Sequence, residues 1–402
     1  MDSTQRVIDI TERLAVRNYE RYPVVFTEGR GVWIEDINGN SYLDMAAGYG
    51  LHNWGHSNPR WIKAIKRQVG KFIGASGNYY YPLHAEILEA LNKLTGKEKA
   101  LFSCEGAISV DASIKIARKW GYVVKGIEEG RAEIISTDKN FHGRTLGAVG
   151  MSPVDQYKNG FGPFPPGLET KVPFGDSEAF ERAITKNTVA FFVEIIAGEG
   201  GIHIPPVGYF KEVERICRKH NVLLVDDEIQ SGLGRTGYDL AYQCEGINPD
   251  IIILGKALGA GVPFSVVLGD DHIMNVIGPG DHGSTYGAYA LGCAAGLASL
   301  SILQDWNLSE NSREMGNYLM SGLKSIDSKY IKEIRGRGLF IGMELTCDIN
   351  HSVCEMLLKE GLACLTARDN VVRFSPPLVI NRVEIDLAIN MLEKGFRKLE
   401  AR

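Results

Sequence analysis

The stretch Pro249-Asp-Ile-Ile-Ile-Leu-Gly-Lys256-Ala-Leu-Gly-Ala-Gly261 leads an apolar run directly into a lysine. Small and apolar residues also follow Lys256, and an ammonium is rarely buried without a partner because its desolvation is costly. Lys256 therefore either reaches solvent at the end of a strand or is held neutral as a covalent nucleophile. Upstream, a second apolar run ends in three acids, Val222-Leu-Leu-Val-Asp226-Asp227-Glu228.

Two buried strands, one ending in carboxylates and one in lysine, are what a pyridoxal phosphate site requires. The lysine forms a Schiff base with the cofactor aldehyde, and an aspartate keeps the pyridine nitrogen protonated. Side chains alternate along a strand, so only one of the three adjacent acids faces the ring squarely. Spacing alone leaves Asp226, Asp227 and Glu228 open.

Composition narrows the class of protein. The chain has 402 residues, of which 44% are hydrophobic and 23% charged, which is ordinary for a globular enzyme of two or three domains. A net charge of −5 gives no electrostatic case for nucleic acid or an anionic membrane surface. No apolar run approaches the roughly 18 to 20 residues that span a bilayer. A polar N-terminus and seven cysteines without a CxxC pair predict a cytoplasmic protein with reduced thiols and no metal site.

Helical and strand patterns alternate along the middle of the chain. We expect helices over 107–121, 178–184 and 208–220, and strands over 132–136, 189–196, 222–226 and 250–254. This alternation predicts an α/β fold with a mostly parallel central sheet flanked by helices, and ligands at the carboxyl ends of its strands. Both Lys256 and Asp227 fall at such ends.

The remaining segments predict a smaller α+β domain. Residues 1–30 are expected to form an irregular arm, followed by a hairpin over 31–44 around Asn38-Gly39. After a long helix over 286–325, we expect strands over 337–345 and 371–374 and helices over 351–361 and 382–400. The predicted division is an arm and hairpin at 1–45 that packs with the small domain, a large domain at 46–290 and a small domain at 291–402.

Several motifs together resemble a known family. They are DDEIQSGLGRTG (226–237), ILGKAL (253–258), NFHGRTLGAVG (140–150), GFGPFPPG (160–167), HGSTYG (282–287), RGRGL (335–339) and VVRFSPPLVI (371–380). With them the chain resembles the class III aminotransferases, which are pyridoxal-phosphate-dependent transferases of fold type I. Within that family it is most similar to the enzymes that act on ornithine. The similarity runs from about Tyr19 to the C-terminal helix.

The resemblance implies a role for each cofactor contact. Lys256 would form the Schiff base and later carry the proton, Asp227 would pair with the pyridinium nitrogen, and Gln230 would bind the phenolic oxygen. Phe141 would stack on the ring beside His142. The phosphate would be held by Gly106, Ala107, Ser284 and Thr285. In this family the threonine reaches the phosphate of the neighbouring subunit, which implies a homodimer with its active site at the interface.

Ornithine and glutamate pose a geometric problem at one site. Ornithine presents its terminal amine with its carboxylate far away, whereas glutamate presents its α-amine with a carboxylate beside the ring. Two separate receptors are needed, and arginine binds carboxylate bidentately. The resemblance implies Arg144 for the distal carboxylate and Arg373 for the proximal one, with Glu199 pairing Arg373 when no proximal carboxylate is present. Tyr49 and Tyr19 would contact the bound amino acid.

The sequence thus predicts an enzyme that moves the terminal amino group of L-ornithine to 2-oxoglutarate, giving glutamate 5-semialdehyde and glutamate. Its partners would be small amino and 2-oxo acids. N-acetylornithine, 4-aminobutyrate and lysine remain alternative substrates. Two other classes stay open on the same scaffold, an amino-acid racemase without a keto-acid acceptor and a non-catalytic regulator.

Overall fold

The computed structural model describes residues 3–74 and 77–401. Its strands are β1 (Phe26–Arg30), β2 (Trp33–Asp36), β3 (Ser41–Asp44), β4 (Lys99–Ser103), β5 (Glu133–Thr137), β6 (Lys171–Val172), β7 (Thr188–Val193), β8 (Leu223–Asp227), β9 (Ile251–Leu254), β10 (Ser265–Gly269), β11 (Ile331–Arg337), β12 (Phe340–Leu345), β13 (Leu362–Ala363), β14 (Leu365–Ala367) and β15 (Val371–Phe374). Its α-helices are α1 (Ser3–Leu14), α2 (Ala47–Gly50), α3 (Pro59–Val69), α4 (Pro82–Thr95), α5 (Gly106–Val123), α6 (Leu146–Gly150), α7 (Asp155–Lys158), α8 (Ser177–Ala183), α9 (Tyr209–His220), α10 (Tyr242–Glu245), α11 (Asp271–Met274), α12 (Ala290–Asp305), α13 (Leu308–Lys324), α14 (Asn350–Lys359) and α15 (Arg382–Glu400).

A seven-stranded sheet in the order β4-β10-β9-β8-β7-β5-β6 forms the centre of the molecule. Neighbouring strands from β6 to β9 pair in parallel, and β10 runs antiparallel to both β9 and β4. Alternate residues of the strands enter two different cores: Phe192, Val225 and Ile253 join one, and their neighbours join the other. The sheet is therefore buried on both faces, which explains its uninterrupted apolar runs. The predicted α/β fold is confirmed.

The carboxyl ends of β8 and β9 lie side by side. Asp227, the last residue of β8, is in register with Ile253 of β9. The chain leaves β9 at Leu254 and turns at once into a short 3₁₀-helix over Lys256–Leu258. Because the two strands are parallel, the acid and the lysine reach the same edge of the sheet, as predicted.

Two smaller sheets flank the large one. The first, β1-β2-β3-β13, joins the N-terminal hairpin to the C-terminal part of the chain, since β13 pairs in parallel with β3. The second, β11-β12-β15-β14, is antiparallel throughout. The strand pairing agrees with a hairpin that packs with the small domain, while the boundaries at residues 45 and 290 stay predictions.

Two predictions about single elements are wrong, and a third is incomplete. Residues 1–30 are not an irregular arm, because α1 and β1 lie within them. The helix predicted over 286–325 is two helices, interrupted where Asn307 takes a left-handed φ of 50°. The strand predicted over 337–345 is present as β12, but its hairpin partner β11 was not predicted. The hairpin turns at Gly338, where a Cβ would lie 2.5 Å from the backbone of Thr236.

Each error has a local cause. A single left-handed residue ends a helix without changing the apolar pattern on either side, so the break at Asn307 leaves little trace in periodicity. The first strand of the missed hairpin is polar and partly exposed, and it lacks the alternation by which strands are recognised.

In the described residues 3–74 and 77–401, no helix is long and apolar enough to cross a bilayer.

Candidate active site

A cavity of about 860 Å³ lies at the carboxyl ends of β8 and β9. Nine of the predicted site residues line it: Tyr19, Gly106, Ala107, Phe141, His142, Arg144, Asp227, Gln230 and Lys256. They come from segments more than 200 positions apart in sequence, from Tyr19 to Lys256, and the sheet edge brings them together. The fold thus assembles most of the predicted cofactor site in one place.

Lys256 borders this cavity from the first position of the 3₁₀-helix. Its φ of 42° lies in the left-handed region, which is strained for a residue with a side chain. Burial, and secondarily the positive charge of Arg373, lower the pKa of Lys256 to about 8. What surface the residue exposes faces the cavity, so Lys256 is not a surface lysine that escapes to bulk solvent. Its amine is poised to lose a proton near neutral pH.

The side chains of Asp227 and His142, which both line the cavity, are hydrogen-bonded to each other. The two side chains approach to 2.8 Å between Nδ1 and Oδ2, and the other Asp227 oxygen accepts a hydrogen bond from the backbone N–H of Ile229. Burial alone would lower the pKa of His142, but its hydrogen bond to Asp227 and the nearby charge of Glu194 raise it. The hydrogen bond to Asp227 therefore favours the protonated form of His142.

The structure distinguishes Asp227 from its two acidic neighbours. Asp227 lines the cavity, as expected from the resemblance. Glu228 points elsewhere and accepts hydrogen bonds from the backbone N–H of Tyr242 and the hydroxyl of Ser231. Burial and the neighbouring Glu228 raise the pKa of Asp226, which is fully buried. Strand alternation accounts for the arrangement, since Asp227 faces opposite to both neighbours.

The N-terminus of α5 supplies a site for an anion. This helix of 18 residues begins at Gly106 on the cavity wall, and its cap residue Glu105 makes no side-chain hydrogen bond to the first turn. Gly106 is required by packing, because a Cβ there would lie 2.7 Å from Ile229 Cδ1. The partial positive charge of the exposed helix end favours a phosphate group.

Ser284 and Thr285 are not brought to this cavity. Both are exposed, and the Ser284 hydroxyl accepts a hydrogen bond from the backbone N–H of Tyr286. The role of the Ser284 hydroxyl as a donor to the phosphate stays a prediction. An exposed Thr285 is compatible with a role toward a second subunit, which stays a prediction.

Arg373 and Glu199 form an ion pair beside the cavity, in which the arginine is buried and the glutamate is partly exposed. Arg373 Nη1 lies 2.7 Å from Glu199 Oε2, and the arginine side chain is only 1% exposed. Burial would raise the pKa of Glu199, but the pairing with Arg373 lowers it. The Tyr49 ring centroid lies 5.0 Å from the guanidinium carbon, and Gln230 Nε2 donates to the Tyr49 carbonyl at 3.2 Å. Four predicted residues thus form one contiguous group.

Arg144 lies against two aromatic rings. Its guanidinium carbon is 3.5 Å from the ring centroid of Tyr157 and 5.5 Å from that of Phe141. The stacking holds a cation on the cavity wall, and within residues 3–74 and 77–401 no carboxylate pairs with it, so an incoming carboxylate can bind it. Tyr19 lines the same cavity and is 67% exposed.

The sequence interpretation missed several residues of the site. Glu194 follows the wholly buried β7, and Tyr286 and Tyr289 line the cavity together with Cys104. The signal for Glu194 was present in the sequence, because an acid that directly follows an apolar strand is the same pattern that singled out Asp227. Tyr157 gave no signal, since its contact with Arg144 depends on how the loop folds back.

The residues present fit pyridoxal phosphate. A buried amine of lowered pKa can condense with an aldehyde, and a carboxylate supported by an imidazole can pair with a ring nitrogen. An uncapped helix N-terminus can hold the phosphate, and Phe141 offers a face for stacking. All four features line one cavity of about 860 Å³, which is large enough for a cofactor and a small substrate.

Comparison with known proteins agrees with this assignment. The family model of the class-III aminotransferases matches residues 14–396. An ornithine aminotransferase of a Geobacillus species is 47% identical over 98% of this chain and 99% of its own. The crystal structure of the Toxoplasma gondii ornithine aminotransferase has a TM-score of 0.97 at 37% identity, covering 100% of this chain and 96% of that one. The acetylornithine aminotransferase of Elizabethkingia anophelis has a TM-score of 0.89 at 33% identity, covering 99% of this chain and 100% of that one. The chain therefore belongs to the class III aminotransferases, which are pyridoxal-phosphate-dependent transaminases of fold type I.

Proposed function

We propose that this enzyme transfers the terminal amino group of L-ornithine to 2-oxoglutarate, yielding glutamate 5-semialdehyde and glutamate. The proposal rests on two separate arginines. Arg144 lies on the cavity wall with no carboxylate partner in the described part of the chain, and Arg373 is paired with Glu199. A substrate that presents its terminal amine has its carboxylate far from the reacting carbon. It can bind Arg144 while the Glu199–Arg373 pair remains closed.

The second half reaction needs the opposite state of the pair. Glutamate and 2-oxoglutarate carry a carboxylate next to the reacting carbon, and this group would displace Glu199 and bind Arg373 bidentately. Exchange of one carboxylate for another preserves the charge balance around the buried guanidinium. The site therefore accepts two substrates of different length without moving its cofactor residues.

The remaining residues manage protons. When bound, pyridoxal phosphate supplies an electron-withdrawing ring that stabilises negative charge on the carbon bearing the substrate nitrogen. Asp227, with its carboxylate supported by His142 Nδ1, favours a proton on the ring nitrogen. Lys256 Nζ has a pKa of about 8, so roughly a tenth of it is neutral at pH 7 and can take a proton from that carbon. Gln230 borders the same cavity and offers an amide to the phenolic oxygen.

A homodimer in the cytoplasm is part of the same proposal. Tyr79, Tyr80 and Tyr286 expose 68%, 103% and 58% of their surface, which is unusual for large aromatic residues. Tyr286 also lines the cavity and follows the exposed Ser284 and Thr285. A second subunit over this face would cover the rings and bring its own threonine to the neighbouring phosphate site.

The proposal is tested by half reactions followed through the visible absorption of the bound cofactor. Without an acceptor, L-ornithine should abolish the absorption of the aldehyde form, and 2-oxoglutarate should restore it. Loss of the band with N-acetylornithine, 4-aminobutyrate or lysine but not with ornithine would contradict the proposed substrate. An L-amino acid that loses optical activity without a keto acid would instead identify a racemase.

A further inference from the structure

Glu194 makes two backbone hydrogen bonds that no cofactor or substrate role requires. It follows β7, is buried, and lines the cavity. Its Oε1 accepts from the backbone N–H of Phe141 at 2.7 Å, and its Oε2 accepts from the backbone N–H of Gly198 at 3.2 Å. One carboxylate thus bridges two segments of chain that come from different strands.

Both segments carry substrate receptors. The segment 141–144, here the aromatic loop, begins with Phe141 and ends with Arg144. The segment 197–201, here the switch loop, presents Glu199 to Arg373. The switch loop is also closely packed, because a Cβ on Gly198 would lie 2.3 Å from Gln230 Oε1. Glu194 therefore sits between the loop of the distal receptor and the loop that closes the proximal one.

Arg368 joins the same two segments by donating hydrogen bonds to their carbonyl groups. Arg368 Nη2 donates to the carbonyls of Lys139 and Asn140, directly before the aromatic loop, at 2.8 and 3.0 Å. The backbone N–H of Arg368 donates to the carbonyl of Glu199 at 3.1 Å. Glu194 thus accepts from backbone N–H groups of both loops, and Arg368 donates to carbonyl groups of the same segments. Together these bonds fix the spacing of the two loops.

We propose that Glu194 is a positioning residue that ties the switch loop to the aromatic loop and thereby holds Glu199 against Arg373. This inference rests on the proposed function, since it assigns Glu194 a part in the choice between terminal-amine and α-amine substrates. The Glu194 carboxylate holds Phe141 where it would stack on the cofactor ring, and it also holds the loop that keeps Glu199 against Arg373. Weakening one of the two hydrogen bonds of Glu194 shifts the equilibrium between the closed and the open Glu199–Arg373 pair, although Glu194 does not contact the reacting atoms.

The substitution Glu194→Gln separates these bonds. Glutamine has nearly the same shape, but only one of its terminal atoms accepts a hydrogen bond, whereas the other donates. Its oxygen should keep the shorter bond to Phe141, which leaves its NH₂ facing the N–H of Gly198. Two donors then oppose each other, and the switch loop loses its tie while the aromatic loop keeps its own.

The groups that surround Glu194 make the variant informative. His142, Asp227, Asp226 and Lys256 all interact electrostatically with it. Burial, with Asp227 adding to it, raises the pKa of Glu194 to about 7, although His142 opposes the shift. A neutral side chain is therefore compatible with the site, and Glu194→Gln is expected to fold.

The first measurement is backbone hydrogen exchange by mass spectrometry on the full-length protein, with and without pyridoxal phosphate. Peptides that cover the switch loop should exchange roughly five- to tenfold faster in Glu194→Gln, as the loss of one hydrogen bond implies. Glu228→Gln is the matched control, because Glu228 is another buried carboxylate with a backbone donor, on Tyr242, outside both loops. It should leave exchange of both loops at the wild-type rate.

The second measurement compares the two half reactions. With Glu199 less firmly held, kcat/KM for ornithine relative to glutamate should fall roughly tenfold in Glu194→Gln. Arg368→Lys removes the guanidinium that holds the carbonyls of Lys139 and Asn140, while the backbone N–H of this residue still reaches Glu199. It should shift the ratio in the same direction, which keeps the proposal testable if Glu194→Gln folds poorly. A general loss of stability would reduce both half reactions together.

Unchanged exchange of the switch loop in Glu194→Gln would overturn the proposal, and so would faster exchange with an unaltered substrate ratio. If the wild-type protein shows no transfer from ornithine, the proposed function fails instead. The exchange result would then still decide whether Glu194 holds the two loops.

Discussion

Glu199→Gln is the substitution with the largest expected effect on substrate choice. The pair that it breaks is short, at 2.7 Å, and its arginine side chain is only 1% exposed, while that of Glu199 is 25% exposed. A hydrogen bond to a charged group contributes about 1.5 to 3 kcal/mol. About 1.4 kcal/mol corresponds to a factor of ten in an equilibrium constant. The equilibrium constant for opening the pair should therefore be roughly 10- to 100-fold larger in the variant.

The two half reactions should respond in opposite directions. Glutamate and 2-oxoglutarate no longer compete with a carboxylate for Arg373, so their apparent affinity should rise by about that factor. Ornithine instead meets an unpaired guanidinium where its terminal ammonium must approach, and its kcat/KM should fall. Stopped-flow absorption of the bound cofactor measures each half reaction separately.

A matched control uses an exposed pair of the same type. Glu212→Gln removes the partner of Arg215 at the surface, where a salt bridge contributes little. It should leave both half reactions unchanged. Equal losses in the two half reactions of Glu199→Gln, or weaker binding of glutamate, would refute the reasoning.

Three further outcomes follow from the site. The rate at which the cofactor-free protein binds pyridoxal phosphate should rise with pH and reach half its maximum near pH 8. The reason is that burial and Arg373 lower the pKa of Lys256 to about 8, and only the neutral amine reacts. A rate that does not change with pH in stopped-flow absorbance would contradict this. Tyr157→Leu should raise KM for ornithine about 2- to 30-fold with little change in kcat, since a cation–π contact is worth about 0.5 to 2 kcal/mol and Arg144 lies 3.5 Å from the ring centroid; Tyr157→Phe is the control and should stay near wild type in steady-state kinetics. Glu194 keeps its proton to about pH 7 when folded but releases it near 4.5 when unfolded, so its own contribution should lower the free energy of unfolding by about 3 kcal/mol as pH rises through that window; denaturant titrations should show this slope in the cofactor-free protein and not in Glu194→Gln.

The parts of the fold that could be predicted are those in which local pattern and burial coincide. The runs before Asp227 and Lys256 are apolar because β8 and β9 are buried on both faces, and their polar ends mark the edge where ligands bind. By contrast, β4 and β10 were not predicted, and the antiparallel direction of β10 is set by pairing with neighbours rather than by its own residues. Asn307 interrupts a helix through one backbone angle, which periodicity does not register.

The candidate site divides in the same way. Lys256 and the acids at 226–228 were recognisable because a charge at the end of an apolar run is rare and its cost must be offset, whereas the choice of Asp227 and Arg373 came from the resemblance. Glu199 and Tyr49 depended on resemblance, as neither stands in such a run. The bridge made by Glu194 and the stacking of Tyr157 on Arg144 involve loops distant in sequence, so only the folded chain brings them together.

Which nitrogen of ornithine is transferred tests the central claim most directly. The protein, loaded with pyridoxal phosphate, would be incubated with 2-oxoglutarate and L-ornithine labelled with ¹⁵N at either the terminal or the α position. A distal receptor at Arg144 and a closed Glu199–Arg373 pair predict labelled glutamate from the terminal label alone. Labelled glutamate from the α position would contradict the account, because it would require ornithine to bind with its carboxylate on Arg373.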